Sequence, residues 1–359
     1  MIHPKYIRYI NRIFPFGIIW LVFAFVYSLL EYGLLGELET YPTTGNPYDF
    51  EQNFIFTLTF SFIMGLVQGV IEISWLRKKF EHNALWVKIV LKTTFYLLLI
   101  IVIIILMTLL NNALYVSKTA AIDDLKMFMS VFAFWSIVIF VSVISGIAVF
   151  FSEISEYFGE GIFYNFFFGK YHRPVQEKRI FMFLDMNSST TIAEEIGHEK
   201  YFDLIKEYYA DMTDPILETF GEIYQYVGDE IVVSWPAKKG IYKNNCIICF
   251  KKVSAVFHAK KIHYLEKYKV APEFKAGFHI GEVTSGEIGI IKRDIIYTGD
   301  VLNTTARIQG KCNEYKTKAL ISEELLKELP ANPNFSFHKI GKLLLRGKKE
   351  MVQLYKIDF

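Results

Sequence analysis

The fold of the second half of this chain is decided by the stretch Tyr226-Val227-Gly228-Asp229-Glu230. It lies between two apolar runs, at 220–227 and 231–235. Two strand-like runs joined through a Gly-Asp pair predict a β-hairpin with Asp229 at its turn. A second carboxylate, Asp185, ends another apolar, strand-like run. If the two strands are neighbours in one sheet, both carboxylates lie at the same end of it.

Two carboxylates that lie so close together repel each other unless a cation lies between them. Hard oxygen ligands suit Mg²⁺ or Mn²⁺ rather than Zn²⁺. A two-metal carboxylate site beside a helix N-terminus is suited to phosphoryl chemistry. The alternative is that Asp185 and Asp229 are solvated turn aspartates, which are common at hairpins.

A family resemblance is carried by four stretches that follow one another in order. They are Phe183-Leu184-Asp185 followed by Ser189-Thr190, then Val227-Gly228-Asp229, then Gly299-Asp300-Val301-Leu302-Asn303-Thr304-Thr305-Ala306-Arg307, and last Leu345-Arg346-Gly347-Lys348 before Leu354-Tyr355. Through them the chain from Arg179 to Phe359 resembles a class III nucleotidyl cyclase catalytic domain, of the membrane-bound bacterial type with four transmembrane spans. Ordered motifs are far less accidental than one motif alone. The resemblance implies a cytoplasmic α+β domain of ferredoxin-like build.

The resemblance also implies a metal site. Two Mg²⁺ or Mn²⁺ ions per active site would be held by Asp185, Asp229 and the main-chain carbonyl of Met186. One ion would lower the pKa of the ribose 3′-hydroxyl, and the other would hold the triphosphate.

Two catalytic residues follow from the same resemblance. Asn303 and Arg307 are four residues apart, which places them on one face of a helix. Asn303 would orient the ribose, and Arg307 would neutralise the charge that builds on the α-phosphate. The alternative is an exposed polar helix face without catalytic use. In the resemblance this pair meets the metal aspartates across a dimer interface, so a chain with both sets implies a homodimer with two equivalent shared sites.

Phosphate contacts are expected where a strand leads into a helix, because free backbone N–H groups there can bind phosphate oxygens. The expected residues are Asn187, Ser188, Ser189 and Thr190 in that loop, joined by Arg346 and Lys348. The family has Gly-Phe where this chain has Ser188-Ser189, although Thr190 fits the pattern. Arg346 and Lys348 are surface cations on a turn in the alternative interpretation.

Choice of purine in the family depends on two positions, which here are Gln225 and Ile296. The first is Lys for ATP or Glu for GTP, and the second is usually a polar side chain. An amide can donate or accept, so Gln225 is compatible with either base. Ile296 hydrogen-bonds neither base. We expect ATP as the substrate, with GTP as the alternative.

The first half of the chain contains four long apolar runs, at 13–30, 54–76, 93–110 and 127–151. Each is long enough to cross ~30 Å of hydrocarbon as a helix. No cleavage site follows the first run, so we interpret it as a membrane helix rather than a signal peptide. Lys and Arg lie before the first run and between the second and third, and they are absent between the first and second. This distribution predicts an integral protein of bacterial inner-membrane type with both termini in the cytoplasm.

Glu72 falls inside the second apolar run, where an acidic residue is costly and suggests a function. Its short distance in sequence from Arg77 favours placement at the membrane interface over a sensing role. Besides a second copy of itself, the expected partners of the chain are membrane lipid and a nucleoside triphosphate.

Composition adds limits. The 359 residues are 52% hydrophobic, and the net charge of +2 argues against an electrostatic nucleic-acid binder. Cys246 and Cys249 have CxxC spacing in an apolar stretch with no second pair, which favours two buried thiols over a metal site. The eight histidines show no metal-ligand spacing.

The predicted organisation is a transmembrane domain at 1–151, a linker or transducing helix at 152–178 and a catalytic domain at 179–359. The predicted function is a membrane-bound adenylate cyclase that converts ATP to 3′,5′-cyclic AMP and pyrophosphate. Guanylate cyclase is the enzymatic alternative. A catalytically weak membrane receptor whose cyclase-like domain only dimerises and binds nucleotide is the alternative from another class.

Overall fold

The computed structural model describes residues 4–36, 38–40, 47–115, 127, 129–158, 169–291, 293–345 and 350–359. These residues form two compact units. One comprises the described residues from 6 to 158, and the other those from 169 to 359.

The first unit contains four described helices that are long and apolar enough to cross a membrane, as the four apolar runs predict. They are α1 (Pro4–Leu35), α2 (Phe50–Ile71), α3 (Leu85–Tyr115) and α4 (Phe132–Phe158). Helix α2 continues through one π-helical turn, Glu72–Leu76, into the short basic helix Arg77–Lys79. Helix α4 extends past the apolar run into the segment predicted as a transducing helix.

Helices α1 and α2 approach each other closely because glycine lines their contact. A Cβ atom at Gly65 would lie 2.6 Å from the carbonyl oxygen of Phe16 and 2.9 Å from the Cα of Gly17. Small residues at such crossings let membrane helices pack backbone against backbone. Beside this crossing, Trp20 Nε1 of α1 donates to Gln68 Oε1 of α2 at 2.6 Å.

A buried charged cluster joins the other helices. Glu72, which the sequence places at the interface, is only 3% exposed and pairs with Lys92 of α3. Lys92 Nζ also donates to Glu153 Oε1 of α4 at 2.6 Å, and Tyr96 donates its hydroxyl to Glu72 Oε2 at 2.9 Å. Lys88 Nζ lies 3.3 Å from Glu153 Oε2. The ends of α2, α3 and α4 are therefore connected by paired rather than isolated charges, as burial of charge requires.

The second unit is an eight-stranded sheet with helices. The strands are β1 (Val175–Met186), β2 (Glu222–Val227), β3 (Glu230–Pro236), β4 (Phe274–Ile288), β5 (Asp294–Thr298), β6 (Ala319–Ser322), β7 (Ser336–Leu344) and β8 (Met351–Asp358). The helices are α5 (Ser189–Ile196), α6 (His198–Glu218), α7 (Ala237–Ile241), α8 (Asn245–Ala259), α9 (Lys261–Tyr268), α10 (Asp300–Gly310) and α11 (Glu323–Glu328).

The strand order is β2-β3-β1-β4-β6-β8-β7, with β5 paired to the far end of β4. Within the run β2-β3-β1-β4, each pair of neighbouring strands is antiparallel. Helices lie between β1 and β2 and between β3 and β4 in the chain, which gives the β-α-β-β-α-β order of a ferredoxin-like sheet. The predicted α+β fold is therefore confirmed.

Three local sequence patterns predict features that the structure does not have. The apolar stretches 274–279 and 282–291 predict two strands joined near Gly281, but the structure has the single strand β4, which ends at Ile288, because pairing with β1 continues from Phe274 to Ser285 without interruption. The pattern from Asn244 to Tyr268 predicts one long helix, but two helices meet at Lys260, whose ψ of 6° is not helical. The stretch 191–194 fits a capping box, but it lies inside α5, which already begins at Ser189.

The main core lies between one sheet face and helices α6 and α8, and it includes Trp235, Tyr208 and Phe250. Cys246 and Cys249 are buried and free, as predicted. Burial raises the pKa of both thiols to about 12, which leaves them protonated and inert at neutral pH. A smaller cluster on the opposite face contains Phe181, Phe183, Val232, Val283 and Val301.

Helices α6 and α9 are joined by one carboxylate. Glu207 accepts hydrogen bonds from Lys267 Nζ at 2.7 Å and from the Tyr268 hydroxyl at 2.8 Å, and it contacts His263 Nε2 at 2.6 Å. Burial alone would raise the pKa of Glu207, but these three partners lower it to about 2.

Candidate active site

The end of the central strand β1 lies beside the β2–β3 hairpin turn. Leu184 of β1 pairs with Ile231 of β3, and Val227 pairs with Glu230 across the two-residue turn. Gly228 has a φ of 65°, a conformation that glycine adopts without steric cost. This register places the carboxyl groups of Asp185 and Asp229 next to each other, at the same end of the sheet as the sequence predicts.

Burial, and the nearby Asp185, raise the pKa of Asp229. Burial also raises the pKa of Glu230 to about 7, with further contributions from Asp185 and Asp229 and an opposing one from Lys275. Three carboxylates therefore lie close together, and Lys275 offsets part of their charge. Such a concentration of negative charge favours a bound cation.

The donor set fits a hard divalent cation. Oδ2 of Asp229 is buried and accepts no hydrogen bond from a described residue, so it offers a free ligand position. Among the described residues there is no group of three or more His, Cys, Asp or Glu side chains arranged to hold a metal. Two carboxylates and a main-chain carbonyl, completed by phosphate oxygens and water, are the ligand set that Mg²⁺ uses with nucleotides.

Asp185 has two further neighbours that the sequence analysis did not identify. Gln309 Nε2 of α10 donates to Asp185 Oδ2 at 3.1 Å. Lys275 Nζ, directly opposite Asp185 in the β1–β4 register, lies 3.4 Å from the same oxygen. Gln309 continues the buried face of α10 that includes Thr305 and Ile308, so helical spacing could have indicated its burial. The approach of Lys275 depends on strand register.

The predicted phosphate loop has a defined shape. Ser188 adopts a left-handed φ of 56°, and its carbonyl accepts the N–H of Ile192 at 3.0 Å. The serine therefore takes the conformation that glycine would favour at the position where the family has Gly. The N–H of Asn187 donates to the Glu273 carbonyl at 2.7 Å and is not available to a ligand. The N–H groups of the first turn of α5, at 189 and 190, have no partner within the helix.

Asn303 and Arg307 lie on one helix, α10, as the sequence predicts, and α10 packs with Val301, Thr305 and Ile308 toward the sheet. Asn303 is exposed, whereas Arg307 is half-buried, and its Nη1 atom has no partner among the described residues. No described contact within this chain joins Asn303 or Arg307 to the two aspartates.

The close approach of α10 to the sheet depends on glycines of β4. A Cβ atom at Gly277 would lie 2.4 Å from the backbone nitrogen of Gln309, and one at Gly281 would lie 2.5 Å from Val301 Cγ2. Only a residue without Cβ allows a helix to lie this close.

The two purine positions lie on strands β2 and β5, and the tyrosines beside them contact each other. Gln225 is exposed and pairs with Val232 immediately after a bulge at Tyr224, and Ile296 pairs with Gly286. The N–H of Tyr297 donates to the Tyr224 hydroxyl at 3.3 Å, and the two rings are 4.9 Å apart. The residues next to Gln225 and Ile296 are therefore in contact across the sheet face.

Arg346 and Lys348, which are predicted to bind phosphate, lie outside the described residues.

The family profile for the adenylate and guanylate cyclase catalytic domain matches residues 173–357. The chain belongs to this family. A protein named "Adenylate cyclase 2" from Rhizobium meliloti (strain 1021) is 34% identical over 222 residues, which are 62% of this chain and 61% of that protein. An "Adenylate cyclase" from Anabaena cylindrica is 26% identical over 180 residues, or 49% of this chain and 36% of that protein. This chain therefore covers less than two thirds of these relatives.

A similar fold is found in the solved structure of a bacterial light-regulated adenylyl cyclase. It has a TM-score of 0.53 and 18% sequence identity, and the match covers 60% of this chain and 63% of that one. At this identity the likeness concerns the fold alone. Family membership confirms the resemblance stated from the motifs, and the second unit is a nucleotide cyclase catalytic domain.

Proposed function

We propose that the protein is a membrane-bound adenylate cyclase that converts ATP to 3′,5′-cyclic AMP and pyrophosphate. The observation that carries the proposal is the proximity of Asp185 and Asp229 at one sheet end, in a chain that also carries Asn303 and Arg307 on α10. Relatives named adenylate cyclase support it.

The carboxylates of Asp185 and Asp229, with the Met186 carbonyl, would hold two Mg²⁺ or Mn²⁺ ions, which supply charge neutralisation at the triphosphate and acidify the ribose hydroxyl. In the reaction, the 3′-hydroxyl loses its proton to water and its oxygen forms a bond to the α-phosphorus, while the bond from that phosphorus to the pyrophosphate oxygen breaks. The unpaired Nη1 of Arg307 is available to bind the α-phosphate as its charge increases. Free N–H groups at the start of α5 bind the remaining phosphate oxygens.

We further propose that each site is shared between two chains. Asn303 is exposed and Arg307 is half-buried, and neither makes a described contact with Asp185 or Asp229 of the same chain, which supports a site completed by a second copy. The first unit would anchor this homodimer in the membrane, with the catalytic domain and both termini in the cytoplasm.

Mixing two inactive variants tests the shared site. Asp229→Asn weakens a hard-cation ligand, and Arg307→Ala removes charge stabilisation. Each full-length variant alone is expected to lose cyclic AMP formation with Mn²⁺ and ATP. A co-expressed mixture contains heterodimers with one intact site, so it should regain roughly a quarter of the unmodified activity: half the dimers are heterodimers, and each has one of two sites.

The matched control carries both substitutions on one chain, co-expressed with Asp229→Asn. Both chains of this mixture carry Asp229→Asn, so no dimer has an intact metal site to which Arg307 could be supplied. The mixture should stay inactive. If the first mixture is as inactive as the control, the cross-chain arrangement is wrong. If both single variants keep full activity, the assigned chemistry is wrong.

A further inference from the structure

Asp185 contacts two side chains of different chemistry, Gln309 and Lys275. Gln309 is 6% exposed, and it donates one neutral amide hydrogen bond to Oδ2. Lys275 carries a full positive charge, on a long flexible side chain, at 3.4 Å from the same oxygen. The two contacts come from different elements, helix α10 and strand β4.

The position of Gln309 is set by the backbone. Its backbone nitrogen is the atom that a Cβ at Gly277 would approach to 2.4 Å, so α10 lies directly on β4 at this residue. A buried amide on a rigid helix, pressed against the sheet, has little freedom to leave its acceptor. A donor to one lone pair of Oδ2 fixes the carboxylate plane and leaves its other acceptor positions free.

A neutral donor and a cation affect metal binding in opposite ways. The amide orients the carboxylate without cancelling its charge, as partners of metal ligands commonly do. The lysine ammonium competes with a divalent cation for the same charge, and its flexible side chain lets it withdraw.

We propose that Gln309 is a positioning residue that holds Asp185 ready for the metal, and that Lys275 is the counter-ion that the metal displaces. This inference rests on the proposed function, because it takes Asp185 as a metal ligand. Since Gln309 lies two residues after Arg307, one helix then supports the metal site of its own chain and supplies Arg307 to the partner's site.

Mn²⁺ binding separates the two roles. The full chain in detergent micelles is titrated with Mn²⁺, and free Mn²⁺ is followed by electron paramagnetic resonance, with Asp185→Asn to define the site. Gln309→Met keeps the length of the side chain but removes the donor, and it should weaken binding about 10-fold. Lys275→Met should tighten binding about 2–5-fold, as expected for loss of one partly exposed ion pair.

Weaker Mn²⁺ binding in Gln309→Met and tighter Mn²⁺ binding in Lys275→Met cannot both result from general damage to the fold. Thr305→Val is the matched control, because Thr305 is buried on the same helix and its described side-chain hydrogen bond goes to the Val301 carbonyl within that helix; it should bind Mn²⁺ like the unmodified chain. Gln309→Leu is the second variant if Gln309→Met does not fold. Equal Mn²⁺ affinity in Gln309→Met and the unmodified chain would overturn the role of Gln309. Unchanged or weaker Mn²⁺ affinity in Lys275→Met would overturn the role of Lys275.

The mixed-variant assay locates the effect. In the active heterodimer, the Arg307→Ala chain supplies the metal site and the Asp229→Asn chain supplies the arginine. Gln309→Met should raise the Mn²⁺ concentration for half-maximal activity about 10-fold in the first chain and leave it unchanged in the second. An effect confined to the second chain would overturn positioning of Asp185. If the unmodified chain binds Mn²⁺ no better than Asp185→Asn, the proposed metal site itself fails, which is a different result.

Discussion

The contact between α10 and β4 makes Gly277 the most sensitive small residue of the catalytic unit. In Gly277→Ala the new Cβ would lie 2.4 Å from the backbone nitrogen of Gln309 and 2.8 Å from its Cα and Cβ. These atoms belong to the helix backbone or are attached to it, so no side-chain rotation relieves the overlap. Ordinary contact begins at 3.4 Å, and the helix must therefore withdraw by about 1 Å, which places this change among the overpacked cores.

The displacement of α10 should lower both the stability and the activity of the protein. Overpacking of this kind costs about 1–3 kcal/mol, and each kcal/mol lowers the Tm of a domain of this size by about 2–4 °C. Because α10 carries Asn303 and Arg307, a displacement of about 1 Å should also lower kcat about 100-fold. The loss of activity should therefore persist at temperatures where the protein is fully folded.

The assay combines thermal unfolding of the full chain with cyclic AMP formation well below Tm. Gly310→Ala is the control, because a Cβ at that end of the same helix meets nothing within 4 Å. It should leave activity unchanged and add about 0.4–1 kcal/mol of stability. Gly277→Ala with unchanged Tm and kcat would refute the packing argument.

Four further predictions concern separate parts of the chain. Gln225→Lys should increase the preference for ATP over GTP and Gln225→Glu should shift it toward GTP, measured as kcat/KM for both nucleotides; strong GTP selectivity in the unmodified chain would contradict the assignment of ATP. Glu207→Gln should lower Tm at pH 7; since the folded pKa of about 2 lies below the ordinary value, the stabilisation is present above about pH 4 and is lost as pH falls toward 2, so an undiminished Tm difference at pH 2 would contradict it. Lys92→Met should destabilise the membrane unit by about 3–5 kcal/mol, because the buried Glu72 loses its charged partner and Glu153 keeps Lys88 alone among the described residues; an unchanged Tm in micelles would contradict this. Glu39→Cys should react with a membrane-impermeant thiol reagent from outside and Asn83→Cys only after the membrane is opened, and the native thiols add little background because they are buried; the reverse pattern would contradict the topology.

Local signals predicted much of the catalytic unit. The Gly-Asp turn predicted the hairpin, because it lies between two apolar, strand-like runs. The four-residue spacing of Asn303 and Arg307 predicted that they share one helix, which is α10. The four apolar runs predicted four long helices, because each is long enough to cross the hydrocarbon of a membrane. The proximity of Asp185 and Asp229 followed from placing two strands side by side.

The missed features depend on partners far away in the chain. Strand β4 continues through Gly281 because β1 pairs with it there, and no local pattern in 274–288 contains that information. The left-handed Ser188 is imposed by its surroundings, since serine by itself rarely adopts that conformation. The approach of Gln309 and Lys275 to Asp185 requires the packing of α10 and the strand register, which only the folded chain defines.

The central position of β1 has a consequence for the making of the protein. Ser285 of β4 bonds to Val175 of β1 across 110 residues of sequence. At 5–20 residues per second, a ribosome needs roughly 5–20 s to synthesise that interval. During this time the apolar segment Ile180–Leu184 has an unpaired edge, which is the kind of surface that pairs with other nascent chains. The edge of β1 that pairs with β4 is therefore open to wrong pairing until β4 has been synthesised.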